Sequence, residues 1–471
     1  MDNEVAASRP LADTTLTGTD MTTLAQNRPA RATPADRCFT TPAGTAKPQH
    51  SQGKTGTSPT AAAGEKNGPG RSLGYTRNLL HPPTPQDRTP HREARAQRFE
   101  LLAIARTVLS AAGRRAGLQY GHDLHRTAKC RYIRRSAAGL VGVHMDRAHA
   151  AAFYSNLTTC GSVWSCPICA AKVQERRREE IAAAIDWAWT QGLKPVMLTI
   201  TFPHRAWHSL RRLIDQQADA LTKLRSGKAW QSFKSRIGYQ GLIRSLELTH
   251  GRHGWHPHTH EIWFVDEYAD ADAIRREVAR RWLSACARAG LIDLNDTAAV
   301  NDFLAHSIDI KDRCSASDYL AKQDETKHWG ADREMAKAST KAGRAKGFHP
   351  FGLLAEAAEN TDADARRRAG RLFVVYSMVM KGKRQLFWSH GLKDRIGLRD
   401  ISDEELAEES REEADDLGAL TTPEWHFIRT HGLRAQVLDA AENGGWAAVV
   451  ALLKTAGAPP PEKGELAPCW A

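Results

Sequence analysis

The chain has 471 residues, enough for about two or three domains, and its 66 Lys and Arg against 54 Asp and Glu leave a net charge of +12 at pH 7. This balance favours a polyanionic partner. The sequence shows neither an apolar run long enough to span a bilayer nor a secretory leader after Met1, so we expect a cytoplasmic protein without a membrane partner.

The N-terminal stretch, residues 1–95, is rich in Thr, Ala, Pro and Gly and lacks a periodic apolar pattern, which predicts a disordered tail. Composition divides the rest of the chain into four parts. They are an N-terminal region with a cysteine site (96–172), a central domain that contains the motifs discussed below (173–395), an acidic linker (396–421) and a small helical C-terminal segment (422–471).

Four cysteines lie before the central domain: Cys130, Cys160, Cys166 and Cys169. The last two form a Cys-x-x-Cys knuckle, in which the backbone turns so that both thiolates reach one ion. Eight Cys in a chain of 471 residues are too few for a disulfide scaffold, so we predict one structural Zn²⁺ on these four thiolates. His144 and His149 compete with Cys130 for the fourth position. A set of buried free thiols is the alternative.

The central domain alternates predicted helices and strands. The helices cover 172–189, 206–235 and 273–287, and the strands cover 196–202, 242–248, a segment ending at Val265, and 303–310. A further hairpin is predicted within 372–388, around Lys381-Gly382. This order favours an α+β fold with an antiparallel sheet and helices mainly on one face.

The stretch 254–265 contains His258-Thr259-His260. Side chains alternate along a strand, so both imidazoles share one face and form a candidate site for a divalent metal. Glu247 on the preceding strand is the preferred third ligand, although its face depends on a hairpin register that the sequence leaves open. The alternatives are an exposed Glu and a metal-free His-rich loop. His256 competes with either motif His, but Pro257 makes it a poor ladder residue.

A candidate nucleophile follows in Asp318-Tyr319-Leu320-Ala321-Lys322. In a helical turn, the Lys322 ammonium lies beside the Tyr319 hydroxyl, where it activates the hydroxyl or holds a phosphate oxygen. A half-buried Tyr with a surface Lys is the alternative. The following stretch, 323–347, is polar and basic, which predicts a DNA-binding loop. Its candidate contacts are Lys337, Lys341, Arg344 and Lys346.

Taken in order, these blocks resemble the rolling-circle replication initiators of bacterial plasmids in the HUH endonuclease superfamily, with the closest match to the actinobacterial type. The blocks are Cys160–Lys172, Met197–Phe202, His258–His260, Tyr319–Lys322 and Gly382–Leu392. The resemblance covers residues 125–395, which makes it more specific than any one motif.

The resemblance implies a ferredoxin-like or RRM-like core and a site-specific nicking activity. It implies that Tyr319 attacks one strand of plasmid origin DNA with the help of Mg²⁺ or Mn²⁺ on the His pair. The products are a 5′-phosphotyrosyl link and a 3′-OH that primes replication. A host helicase and a polymerase are the further expected partners.

The chain departs from the family pattern at two positions. Thr259 stands between the two His where the family has a bulky apolar residue, which affects packing more than chemistry because the side chain faces away from the metal. Ser315 stands where a related branch carries a carboxylate one turn before the Tyr. Activation of water for termination then falls to Asp318, Asp324 or Glu325.

Three other functions compete with this interpretation. The first is a relaxase or single-strand transposase of the same superfamily, although relaxases usually place the Tyr before the His motif. The second is a non-catalytic zinc-containing DNA-binding protein, which has no need of Tyr319. The third is a zinc hydrolase, for which the sequence lacks a helical H-E-x-x-H motif.

Overall fold

The computed structural model describes residues 85–115, 125–147, 149–315, 348–408 and 414–459. Its first helix, α1, covers Pro85–Arg115, so the end of the predicted tail is helical, and residues 1–84 lie outside the described part. Leu101, Leu102, Ala105 and Leu109 are buried at helical spacing, which explains why α1 packs on the domain. None of the described helices combines the length and the apolar character that crossing a bilayer requires.

The elements up to the first long gap follow in chain order. They are α2 (Arg126–Lys129), β1 (Val141–Asp146), β2 (Ala151–Tyr154), α3 (Pro167–Thr190), β3 (Leu193–Ile200), α4 (Leu210–Leu224), α5 (Lys228–Arg236), β4 (Gly241–Gly251), β5 (Gly254–Asp266), α6 (Ala271–Arg288), α7 (Thr297–His306) and β6 (Ile308–Lys311). The predicted helix over 206–235 is thus two helices, separated where Gly227 adopts a φ of +83°.

After the gap, the chain continues with helices and two short strands. These are α8 (Pro350–Glu359), α9 (Ala363–Val379), β7 (Leu386–Trp388), α10 (Leu392–Ile396), α11 (Asp403–Glu408), β8 (Ala414–Leu420), α12 (Thr422–Thr430) and α13 (Arg434–Thr455). The predicted hairpin within 372–388 is wrong. Phe373, Tyr376 and Met380 are buried at helical spacing in and just after α9, and β7 pairs with β4 instead.

The central sheet has five strands in the order β6-β3-β5-β4-β7, and every neighbouring pair is antiparallel. Its longest strands, β4 and β5, form the predicted hairpin and turn at residues 252–253. The prediction of a mixed α and β fold built on antiparallel strands is therefore confirmed. The predicted strand over 303–310 is shorter than expected, because α7 extends to His306.

Helices cover both faces of this sheet, so the expectation of helices mainly on one face is too simple. Leu198 and Trp263 face the core that contains apolar residues of α4, α5 and α6. Met197 and Ile262 face the opposite way and pack with Ile181 and Ile185 of α3. Consecutive residues of a strand point to opposite faces, so Met197 and Leu198 on β3, like Ile262 and Trp263 on β5, face different layers of helices.

A second, three-stranded sheet has the order β2-β1-β8. Its β8 lies inside the stretch 396–421, which the sequence predicts as an acidic linker, so that interpretation is wrong for these residues. Asp415 and Asp416 form the ladder with β1, while Leu420 is buried. Burial of Leu420 anchors one end of the strand, while the Asp415 and Asp416 side chains remain 37% and 61% exposed.

The C-terminal helix α13 packs on this second sheet and on α1. The Glu442 carboxylate pairs with the Arg95 guanidinium at 2.6 Å and accepts a hydrogen bond from the Ala152 amide at 2.8 Å. Arg95 also pairs with Asp439 at 3.2 Å. Both Arg95 and Glu442 have side chains less than a tenth exposed, so these ion pairs join the two ends of the described chain from within the packed interior.

Candidate metal-dependent active site

The β4–β5 hairpin places three candidate ligands on one face of the central sheet. Its register sets Glu247 directly opposite His258 and Ser245 opposite His260. Because alternate side chains share a face, Glu247, His258 and His260 point the same way. The structure thus resolves the register that the sequence leaves open, and it brings the three predicted residues together.

These three side chains form a compact and buried group, here called the Glu-His-His triad. One carboxylate oxygen and one ring nitrogen from each His all lie within 4.8 Å of one another. The Glu247 Oε2 atom is 3.5 Å from the Nε2 atoms of both His258 and His260. Each of the three residues is less than a tenth exposed.

The other ring nitrogen of each triad His has its own partner. His258 Nδ1 donates to the backbone carbonyl of His256 at 3.4 Å, which leaves Nε2, the atom that faces Glu247, as the candidate metal ligand. His260 Nδ1 is 3.0 Å from the Thr199 hydroxyl on β3. Such outer contacts fix the orientation of a metal-binding imidazole and present Nε2 to the ion.

The donor set and its dimensions fit a divalent cation. Two ligand atoms that are each about 2.1 Å from one ion lie about 3.0–3.5 Å apart in octahedral or tetrahedral geometry. The 3.5 Å separations from Glu247 Oε2 come close to that range. Two imidazoles and one carboxylate suit Mn²⁺ and other first-row metals, whereas Mg²⁺ prefers an all-oxygen set.

Thr199 and His204 also lie at the site, although no role is predicted for either from the sequence. Thr199 falls within the Met197–Phe202 block, but its contact with His260, like that of His204 with His256, depends on packing between distant segments. His204 Nδ1 lies 3.3 Å from His256 Nδ1, and the His256 ring stacks on His258 with centroids 4.9 Å apart. Burial, together with the nearby His258 and His204, lowers the pKa of His256 to about 3, so this ring stays neutral beside the triad.

We expect Thr199→Val to weaken metal binding, because it removes the partner of His260 Nδ1 while keeping the shape of the side chain. Loss of an outer contact of this kind typically costs about 10–100-fold in metal affinity. Calorimetric titration with Mn²⁺ measures the effect. Thr201→Val, one residue after the end of that strand, is the matched control, since Thr201 bonds to the Ser307 carbonyl. Equal Mn²⁺ affinity in the two variants would contradict the role of Thr199.

The four predicted cysteines form a second buried group. Cys130 follows α2, Cys160 lies in the loop after β2, and Cys166 and Cys169 begin α3. Their sulfur atoms are 3.6 Å apart for Cys130–Cys169 and Cys130–Cys166, and 3.7 Å apart for Cys160–Cys169. A tetrahedral zinc site with Zn–S bonds of about 2.3 Å has sulfur atoms about 3.8 Å apart, so the spacing fits one ion.

The competitors for the fourth zinc ligand lie elsewhere. His144 Nε2 is 2.7 Å from the Ser155 hydroxyl, and His149 Nδ1 is 2.6 Å from the Asp146 carboxylate. At the cluster itself, thiol hydrogen bonds from Cys130, Cys160 and Cys166 hold the pKa of Cys169 well below its usual range. A lowered pKa favours the thiolate form of Cys169, and a bound cation would stabilise that thiolate further.

Cys169→Ser is expected to release bound zinc and to lower the temperature of unfolding, because the free energy of metal binding contributes to folding. Elemental analysis of protein purified without chelator measures the zinc, and calorimetry measures the unfolding. Cys286→Ser is the matched control. Cys286 is also fully buried, but it lies on α6 outside the cluster, so zinc content should not change. Native protein without zinc would rule the site out.

The predicted nucleophile and loop lie outside the described residues. This applies to Tyr319, Lys322, Lys337, Lys341, Arg344 and Lys346, and to Asp318, Asp324 and Glu325. The chain on both sides of that gap is held to the central sheet. The Cys314 amide donates to Pro195 at 2.9 Å, and Phe348 pairs with His250 on β4, three residues after Glu247.

Comparison with known proteins gives one family and two relatives. The model of a family described as "Replication protein" matches residues 153–431. A protein named "Protein rep" from Streptomyces lividans is 25% identical over 350 residues, which cover 61% of this chain and 75% of that protein. The match to the family contains both the Glu-His-His triad and three of the four cysteines.

A second relative matches over a shorter region of the chain. A protein named "Neomycin resistance protein" from Streptomyces cyanogenus is 35% identical over 140 residues, which cover 24% of this chain and 32% of that protein. No solved structure matches the chain.

Proposed function

Since the chain belongs to the replication protein family, whose model matches residues 153–431, we propose that it nicks one strand of a plasmid origin to initiate rolling-circle replication. The observation that carries this proposal is the Glu-His-His triad. Glu247, His258 and His260 lie on neighbouring strands within 4.8 Å of one another, inside the matched region. A site of this composition can bind the divalent cation that such a reaction needs.

Tyr319 is the proposed nucleophile. Its oxygen attacks the scissile phosphorus, a new P–O bond forms to the Tyr, and the bond to the 3′ oxygen breaks. The departing 3′ oxygen takes a proton and becomes the 3′-OH primer, while the 5′ phosphate stays on the protein. Lys322 contacts the non-bridging oxygens, where charge develops in the transition state.

In this proposal the triad residues would hold Mg²⁺ or Mn²⁺, which when bound would supply polarisation of the scissile phosphate. The chain's own contribution is preorganisation. Thr199 and the His256 carbonyl fix the two imidazoles, and the paired strands fix Glu247 opposite His258. Burial of all three side chains excludes water and strengthens the electrostatic contacts.

The attachment of the chain on both sides of the gap supports a role for Tyr319 near the triad. Ser315 is the last residue described before the gap, and Tyr319 follows four positions later, a reach of at most about 14 Å. On the other side of the gap, Phe348 pairs with His250 on β4, the strand that also carries Glu247. Both ends of the segment that carries Tyr319 are therefore fastened to the sheet that carries the triad.

The remaining assignments complete the proposal. The four-cysteine group binds a structural Zn²⁺ that fastens α2 to the start of α3. Lys337, Lys341, Arg344 and Lys346 contact DNA phosphates, as the net charge of +12 favours. A host helicase and polymerase then extend the free 3′-OH.

The test is a nicking assay on a supercoiled plasmid that carries the cognate origin. With Mn²⁺, the protein should convert supercoiled DNA to the open circular form and remain attached to the 5′ end in a denaturing gel. With EDTA, neither the nick nor the attachment should form. A plasmid without the origin is the control, and absence of origin-dependent nicking in Mg²⁺ and in Mn²⁺ would contradict the proposed function.

A further inference from the structure

An exposed tryptophan lies in a loop that packs on the hairpin of the Glu-His-His triad. Trp207, in the loop between β3 and α4, has 78% of its surface exposed. Trp189, another exposed tryptophan, reaches only 37% and contacts the Arg313 guanidinium. The exposed indole of Trp207 offers a flat apolar face on which a ligand ring can stack.

The loop that carries Trp207 packs against the tip of the β4–β5 hairpin. At Gly254, with a φ of +85°, a Cβ atom would come within 2.9 Å of Ala206 Cα, so only glycine permits this approach. The ring of His204, in the same loop, has its centroid 4.7 Å from that of His256 on β5. His256 in turn stacks on His258 of the triad. A row of rings therefore leads from the triad towards the loop that exposes Trp207.

The two chain segments that pack together in the region of Trp207 carry positive charge. Neither segment 201–214 nor segment 248–260 has an Asp or Glu. The two segments contribute the exposed side chains Arg205, Arg211, Arg212 and Arg252. Within the described part of the chain, none of these four arginines forms an ion pair with a carboxylate, whereas other exposed arginines, such as Arg176, Arg280 and Arg367, do. Such a surface complements a polyanion.

We propose that Trp207 stacks on an unpaired base of the DNA strand next to the scissile phosphate, while Arg205 and Arg252 contact its backbone. The position of this subsite next to the scissile phosphate rests on the proposed nicking function. Single-stranded DNA is favoured over duplex DNA because an indole can stack on a base only when the base is unpaired. It is favoured over an apolar protein partner because the surrounding side chains are arginines.

The test uses the full-length chain and a fluorescent fifteen-nucleotide oligothymidylate in buffer without added Mg²⁺ or Mn²⁺. Binding is then measured without origin sequence or cleavage, and the zinc proposed for the four-cysteine group is retained. Trp207→Ala should weaken binding by about 10-fold, since stacking on one aromatic side chain contributes on that order. Trp207→Phe should keep most of the affinity. Trp189→Ala is the matched control, with binding unchanged. Because Trp207 is exposed, thermal unfolding of the variants should match the native chain.

A second probe separates stacking from charge. On an abasic oligonucleotide of the same length, the native chain and Trp207→Ala should bind equally, because the phosphates remain and the bases are gone. Equal affinity of the two proteins for oligothymidylate would overturn the subsite. So would a Trp207→Ala variant whose affinity for the abasic oligonucleotide falls as much as its affinity for oligothymidylate. Competition by oligoglutamate as strong as by oligothymidylate would assign the surface to an acidic protein instead and overturn it too.

The origin-nicking assay distinguishes failure of this subsite from failure of the proposed function. If the native chain nicks the origin and Trp207→Ala binds oligothymidylate normally, only the subsite is wrong. If the native chain does not nick but Trp207→Ala loses oligothymidylate binding, the stacking contact holds and the nicking function is wrong.

Discussion

Tyr319→Phe is expected to bind origin DNA and Mn²⁺ as the native chain does, but to make no nick and form no covalent adduct. Phe keeps the aromatic ring and removes only the hydroxyl that attacks phosphorus, so the loss reports on chemistry rather than on folding. A supercoiled origin plasmid measures the nick, and a 5′-labelled single strand measures the adduct in a denaturing gel.

Two variants accompany this experiment. Tyr268→Phe is the matched control, because Tyr268 is 89% exposed and stands near Asp266 and Asp270, whose charges repel phosphate. It should nick normally. Lys322→Ala should nick about 10²–10³-fold more slowly, since one electrostatic contact in the transition state contributes on that order. A covalent adduct on Tyr319→Phe would contradict the assignment of the nucleophile.

Replacement of either triad histidine by Ala is expected to abolish metal-dependent nicking. His258→Ala or His260→Ala leaves two ligands, and a metal held by two ligands binds weakly and without a fixed position. The activity should fall by at least about 10³-fold. Duplex origin binding should remain, because phosphate and base contacts elsewhere supply the affinity.

Metal binding by the same variants is measured separately from nicking, with a third His variant as the control. Titration with Mn²⁺ should show one site in the native chain and strongly weakened binding in both His variants. His306→Ala, at an exposed position on α7, should bind Mn²⁺ and nick as the native chain does. Full nicking by His258→Ala or His260→Ala in the presence of chelator would mean that the triad has no metal role.

The sequence predicts the His strand and its hairpin because both are local features. Alternation along one strand fixes which side chains share a face, so the common face of His258 and His260 follows directly. The position of Glu247 does not follow, because a one-residue shift of β4 would turn its side chain to the other face. Only the observed register, with Glu247 opposite His258, decides it.

The four-cysteine site, too, is only partly predictable from local sequence. Cys166 and Cys169 are marked by their spacing. Cys130 comes from a segment 36 residues before Cys166, and the sequence offers His144 and His149 as equal competitors. Tertiary packing decides between them, since His144 on β1 contacts Ser155, and His149 in the turn between β1 and β2 contacts Asp146.

The errors in the fold also have physical causes. The segment 372–379 is rich in Val and aromatic residues, which favour strands, but burial of Phe373 and Tyr376 against the helical core makes it part of α9. The acidic charge of 403–416 suggested a solvated linker. Pairing with β1 orders β8 nonetheless, because Leu420 is buried on one side while Asp415 and Asp416 remain at the surface.

Identification of the protein residue that carries the DNA is the most direct test of the account. After reaction with origin DNA and Mn²⁺, nuclease and trypsin digestion should leave a nucleotide on the peptide 314–322, which ends at Lys322 and contains Tyr319 as its single Tyr. Mass spectrometry should show a phosphodiester on Tyr319. A nucleotide on any other residue, or nicked DNA without any attached peptide, would contradict the proposal that Tyr319 attacks the phosphate.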